Sequence, residues 1–366
     1  MKSSQRLARL GCALFLLVSL AFGVGALLPH AAFSAEGREP SPFPALRTET
    51  GGLNAAFSAE FDRWLTDRVP FRGAILSAVS HVRESLFATG SEQVLVGRHG
   101  FLFFSDTVAD YCGESDMTEE ELTAAADALA ALSEYAAAHG ARLLVAVAPN
   151  KNTICPDEMP AAYRRLHDAA HETNLDRLTA ALDARGVASV DLRPILTESE
   201  TRLYHRRDTH WNAAGAARAA DAILTAAGVP HEAYASLPVA EGAPFAGDLD
   251  GMLYPGEGRT EPDLVPAIDL SRAFAYTSAV TSPMDMTITT RGQGEATLLV
   301  FRDSFGSALI PYLSAAARDA RYERAVPYRI DLLERYPASL VIVEIAERNI
   351  PALTAAADRL TASGGT

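Results

Sequence analysis

The sequence predicts an α/β fold, a parallel sheet flanked by helices, on three observations. From about residue 118 onward, helix-patterned segments alternate with short apolar runs. Those runs, such as "ARLLVAVAP" (141–149), are continuously hydrophobic, as strands covered on both faces must be. Several end in polar turns, and the carboxyl ends of strands are where doubly wound sheets bind ligands.

Each element follows in order. "MKSSQRLAR" is basic through Lys2, Arg6 and Arg9, and residues 10–28 then run without a charge. A membrane span needs roughly 20 apolar residues and a signal-peptide core about 7–15. Residues 1–35 are therefore read as a signal anchor in the cytoplasmic membrane, with the rest of the chain extracytoplasmic, periplasmic or on the cell surface. Ala32-Phe33-Ser34 also offers a signal-peptide cleavage site, which would leave the protein secreted. Residues 36–105 read as linker, helical segment and hairpin. "EGREPSPFPALRTETGG" is linker-like, the helical spacing of 53–87 breaks at Val69-Pro70, and "SEQVLVGRHGFLFFSD" turns around Gly97 and Gly100.

Residues 106–366 carry the main domain. Thr118 caps a helix whose first turn is acidic and whose end is marked by Gly140. The strand at 141–149 is followed by a helix ("ETNLDRLTAALDARG"), a short strand ("VASVDL") and a helix over 212–227. Residues 228–292, rich in Pro and Gly, are expected to hold loops and a short edge strand. Then come a strand ("ATLLVFRD"), helices ("SFGSALIPYLSAAA", "RIDLLERY"), a strand ("SLVIVEIA") and a final helix ("IPALTAAADRLTA").

With 366 residues, 48% of them hydrophobic, the chain can bury a large core. Its net charge of -14 repels phosphate backbones and argues against nucleic-acid binding. Cys12 lies in the apolar segment, so Cys112 and Cys155 are the exported pair. A disulfide between them is expected outside the cytoplasm, stabilising by roughly 4 kcal/mol.

Three segments place polar residues at the expected sheet edge: "APNKN" (148–152), "RDTHWN" (207–212) and "FRDSFGS" (301–307). Ser304 sits in a strand-to-helix turn, which can project its hydroxyl and aim backbone N–H groups at an oxyanion. A serine there is also an ordinary N-cap. Asp208 and His210, two residues apart at a helix mouth, can supply a general base and the carboxylate that fixes its tautomer. The alternatives are that Asp208, Thr209 or Asn212 caps the helix and that His210 is a packed loop residue. No third ligand stands at metal-site spacing, so neither a metal nor a cofactor is expected. Asn150, Lys151, Arg302 and Trp211, the last standing next to the base, are oxyanion or substrate-binding candidates by position.

"RDTHWNAAG" resembles the signature of the alginate O-acetyltransferase family, AlgX/AlgJ-like proteins with an SGNH-hydrolase-like domain. "FDRWLTDRVPFR", "VLVGRHGFLFF", "VAPNKNTICPDEMP", "GDLDGML" and "FRDSFGSALIPYL" match further family segments in the expected order. Phe101 stands where the family has Trp, and Cys155 where it has an aromatic. The resemblance implies a Ser-His-Asp triad of Ser304, His210 and Asp208. It also implies acetyl transfer to an exported polysaccharide, with acetyl groups supplied by a multipass membrane acyltransferase. Two rival readings keep the same fold: an acetylesterase, and a non-catalytic polysaccharide-binding or assembly protein.

Overall fold

The computed structural model describes residues 2–27, 40–48, 51–69, 71–87, 89–324 and 328–354. The expected cleavage site at 32–34, much of the linker and the end of the last helix fall outside them. The chain divides into two compact units, Met1–Val94 with Asp248–Arg259, and Leu95–Gly247 with Thr260–Thr366.

The first unit holds helices Lys2–Leu27, Phe57–Thr66, Arg72–Phe87 and Asp248–Leu253. Among the described residues, no helix is long and apolar enough to cross a membrane. The break foreseen at Val69-Pro70 separates the second and third of these helices.

The strands are β1 (Val94–Val96), β2 (Leu102–Phe104), β3 (Arg142–Ala148), β4 (Ser189–Asp191), β5 (Val239–Phe245), β6 (Glu261–Pro266), β7 (Ala275–Tyr276), β8 (Thr287–Arg291), β9 (Ala296–Phe301), β10 (Ala317–Glu323) and β11 (Leu340–Ala346). Seven form the central sheet in the order β4-β3-β11-β9-β10-β8-β7. The first five run parallel, and β8 and β7 add on antiparallel. All of β11 and all but the first residue of β3 are buried, because helices cover both faces. Helix Ala213–Ala227 packs on one face with Leu298, Val300 and Ile342. Helix Glu119–Ala138 and helix Asn174–Asp183 pack on the other with Leu299, Val341 and Val343. Capping boxes at Thr118/Glu121 and Thr173/Asp176 start the latter two helices, satisfying their first N–H groups.

Three expectations change. Strand β10 occupies "ARDARYE", which follows the alanine-rich helix Ile310–Ala316. Alanine favours helix, but pairing between β9 and β8 overrides that preference and buries Ala317, Ala320 and Tyr322. Residues 228–292 contribute four strands rather than one. "RIDLLERY" makes only a 3-10 segment, Ile330–Glu334.

Cys112 and Cys155 are free thiols, not the expected disulfide. Both pack against Phe101, Phe103, Tyr111 and Met159, where they serve as small apolar side chains. Burial pushes the Cys155 thiol up to about 11 and also raises Cys112.

Candidate active site

Strand β9 ends at Phe301, and Arg302, Asp303 and Ser304 lead into a 3-10 turn, Phe305–Leu309. Ser304 makes no side-chain cap hydrogen bond. Its Oγ lies 2.8 Å from His210 Nε2, and His210 Nδ1 lies 2.7 Å from Asp208 Oδ1. A carboxylate beside Nδ1 stabilises the tautomer that donates from Nδ1, which leaves the Nε2 lone pair to accept the serine proton. Asp208 Oδ1 also accepts the His210 backbone N–H at 2.8 Å, so one acid fixes both ring and backbone. Asp208 is buried, while the imidazole keeps 24% of its side chain exposed and can be reached from solvent.

This geometry arises locally. The bridge between Tyr204 and Trp211 folds the 205–210 segment into a tight loop. Asn212 is the residue that caps helix Ala213–Ala227, accepting from the Gly215 N–H at 2.9 Å, so Asp208 has no capping duty there. Gly247 abuts the Arg207 carbonyl so closely that a Cβ there would run into the backbone just before Asp208.

The other residues singled out from sequence turn out to be supports. Trp211 is 2% exposed, its indole N–H donates to the Phe305 carbonyl at 3.2 Å, and its ring stands edge-on to Phe305. It braces the serine turn and offers no face to a substrate. Arg302 is equally buried and is spent on Ser307 Oγ and on the carbonyls of Pro283 and Asp285. Lys151 Nζ donates to the carbonyls of Leu102 and Arg206, tying the β1–β2 hairpin to the loop that carries Asp208. Asn150 donates its backbone N–H to Glu347 and its amide to Asp110. Among the described residues, the Ser304 backbone N–H has no acceptor, which suits it to an oxyanion.

Two acids that sequence reading missed hold the Ser304 turn. Asp303 accepts the N–H groups of Phe305 (2.9 Å) and Ala346 (2.7 Å) and the Asn349 amide (2.9 Å). Its own N–H donates to Glu344 Oε2 at 3.1 Å. Glu344 is 1% exposed, and burial, then the neighbouring Asp303, drives its carboxyl well above the usual range. A Cβ on Gly306 would crowd the same Glu344 oxygen, so the turn fits only around glycine. The available signal was an acid inside the apolar run "SLVIVEIA", since buried carboxylates are rare unless partnered.

Glu347, just past β11, is fully enclosed; burial first and Asp110 second push its carboxyl up to about 7. The folded state thus holds that proton more tightly than the unfolded chain, whose glutamate titrates near 4.5. Its contribution to stability is complete below that lower value and is lost as pH rises through about 7, a change of about 3 kcal/mol. Denaturant titrations at about pH 4.5 and pH 8 should show wild type losing that much more than Glu347→Gln. Equal losses in the two proteins would contradict the assignment.

Residues 94–279 match a family model described as "SGNH hydrolase-like domain, acetyltransferase AlgX". No curated protein matches the chain in sequence. Among solved structures, Bacillus cereus PatB1 aligns with a TM-score of 0.52 at 16% identity, over 70% of this chain and 96% of that one. The O-acetyltransferase domain of Pseudomonas putida AlgJ gives 0.49 at 18% identity, over 70% and 92%. Pseudomonas aeruginosa AlgX gives 0.48 at 15%, over 76% and 70%. At such identity the likeness to PatB1 speaks to the fold alone.

Proposed function

The chain belongs to the family of SGNH hydrolase-like domains represented by acetyltransferase AlgX, and from that premise we propose that it is an extracytoplasmic O-acetyltransferase acting on a polysaccharide. The observation that carries the reading is His210 standing in hydrogen-bond contact with both Ser304 and Asp208. In the first half-reaction, His210 Nε2 takes the Ser304 proton as Oγ attacks the acetyl carbonyl of the donor. Asp208 stabilises the imidazolium that results, and the Ser304 N–H faces the oxyanion. Collapse expels the donor's leaving group, which takes the proton from Nε2, and leaves acetyl-Ser304. In the second half-reaction, His210 removes a proton from a sugar hydroxyl, that oxygen attacks the acyl-enzyme, and the proton returns to Ser304 Oγ.

The extracytoplasmic placement draws on the basic flank and the charge-free residues 10–28, as anchor or cleaved signal. A multipass membrane acyltransferase fits as supplier of acetyl groups to a domain so placed. The test is to incubate the protein with an activated acetyl ester, with and without oligosaccharide acceptors. The expected result is O-acetylated oligosaccharide formed at the expense of free acetate. Acetate alone, whatever the acceptor, would make the protein an esterase. No turnover at all would leave a binding or assembly role.

A further inference from the structure

A cleft of about 140 Å³ opens past the carboxyl ends of the adjacent parallel strands β3 and β11, whose last residues, Ala148 and Ala346, pair in register. Asp110, Asn152, Thr153, His167, His171 and Glu347 line it. None of these residues takes part in the acetyl-transfer steps.

Apart from the Tyr111 hydroxyl, which also lines it, the polar atoms left over in this cleft are acceptors. Asn152 is 1% exposed; its amide nitrogen serves Thr107, and its enclosed Oδ1 has no partner among the described residues. Glu347 Oε2 takes the Asn150 N–H and the Thr153 hydroxyl, and among the described residues no donor reaches Oε1. Among the described residues, the Asp110 carboxylate receives only the long amide contacts of Asn150 and Asn174, each 3.3 Å. His167 Nδ1 faces the Tyr111 carbonyl and must donate to it, so the neutral ring offers Nε2 as an acceptor. His171 Nε2 is engaged with Asp116, which leaves Nδ1 in the same role. Above about pH 7, where Glu347 is ionised, the cleft therefore presents acceptors and negative charge.

We infer that this cleft is a binding site for a small primary ammonium ion, whose N–H donors and positive charge match the unfilled Glu347 Oε1, the weakly held Asp110 carboxylate and the acceptor nitrogens of His167 and His171. Among the described residues, no three of the cleft's carboxylate and imidazole atoms converge closely enough to cage a metal ion, whereas an ammonium group needs only separate acceptors around it. Burial raises both carboxyl groups, and a cation between them would offset that cost.

Isothermal titration calorimetry on the full chain in an amine-free buffer, with ethanolamine as probe, tests the inference without reference to acetyl transfer. Saturable binding at one site is expected. Tetramethylammonium, charged but without N–H donors, and glycerol, a donor without charge, should each bind at least tenfold more weakly. Glu347→Gln, a near-isosteric change that should fold, is expected to weaken ethanolamine at least tenfold. His167→Gln, at the half-buried rim, should weaken it to a smaller degree. Absence of saturable heat at tens of millimolar ethanolamine would overturn the site, as would equal affinity for the three probes or affinity unchanged in both variants.

Discussion

Replacing Ser304 with alanine is expected to lower turnover of a small activated acetyl ester by about 10⁵–10⁶-fold. The hydroxyl is the atom that would carry the acetyl group, and it stands 2.8 Å from His210 Nε2. Stability should barely change, because Ser304 makes no side-chain cap hydrogen bond to lose. A capping serine would behave in the opposite way, costing about 1 kcal/mol of stability and little activity. His210→Ala should lose about as much activity as Ser304→Ala, and the double variant no more than either alone, since such residues act as a unit. Steady-state kinetics with matched unfolding curves separates the cases. Activity within tenfold of wild type in Ser304→Ala would remove the serine from the chemistry.

The second large effect is expected at Asp208. Asn in its place keeps the shape but can turn its amide N–H toward His210 Nδ1. That moves the ring proton to Nε2, where it points at Ser304 and blocks the base, for a loss of about 10⁴-fold. The same carboxylate oxygen also holds the His210 backbone N–H, so an amide turned with its nitrogen toward the ring gives up that bond as well. The variant should therefore fold, bind ester with little change in KM, and fall in kcat. A loss under tenfold would mean that the carboxylate neither orients nor stabilises the imidazole.

The part of this site written in a short stretch was open to sequence reading. Asp208 and His210 are two residues apart, so their hydrogen bond needs only a tight loop, and a serine after an apolar strand announces a turn at a sheet edge. What supports them was not legible, because it comes from distant segments. Asp303 is held by the end of β11, some forty residues on, and Glu344 looked like one acid in a hydrophobic run. By position Lys151, Arg302 and Trp211 look like oxyanion or substrate contacts, because polar and aromatic residues near an edge usually face solvent. Their actual partners are backbone carbonyls, which leave no trace in residue identity. The same blindness explains the cysteines: compartment and count favoured a disulfide, whereas packing around Phe101 and Phe103 uses two small apolar thiols. In the sheet, the buried runs of β3, β9 and β11 declared themselves by composition. Strand β10 did not, since its place is decided by its neighbours rather than by its own alanines and arginines.

The most direct measurement is of the acetyl group on the enzyme itself. Protein mixed with an activated acetyl ester, quenched in acid during turnover and digested, should yield a peptide containing Ser304 that is heavier by one acetyl group. That peptide should accumulate without acceptor, disappear when oligosaccharide is added, and never form in Ser304→Ala. An unmodified Ser304 peptide throughout turnover, or the acetyl group carried on another residue, would contradict the account.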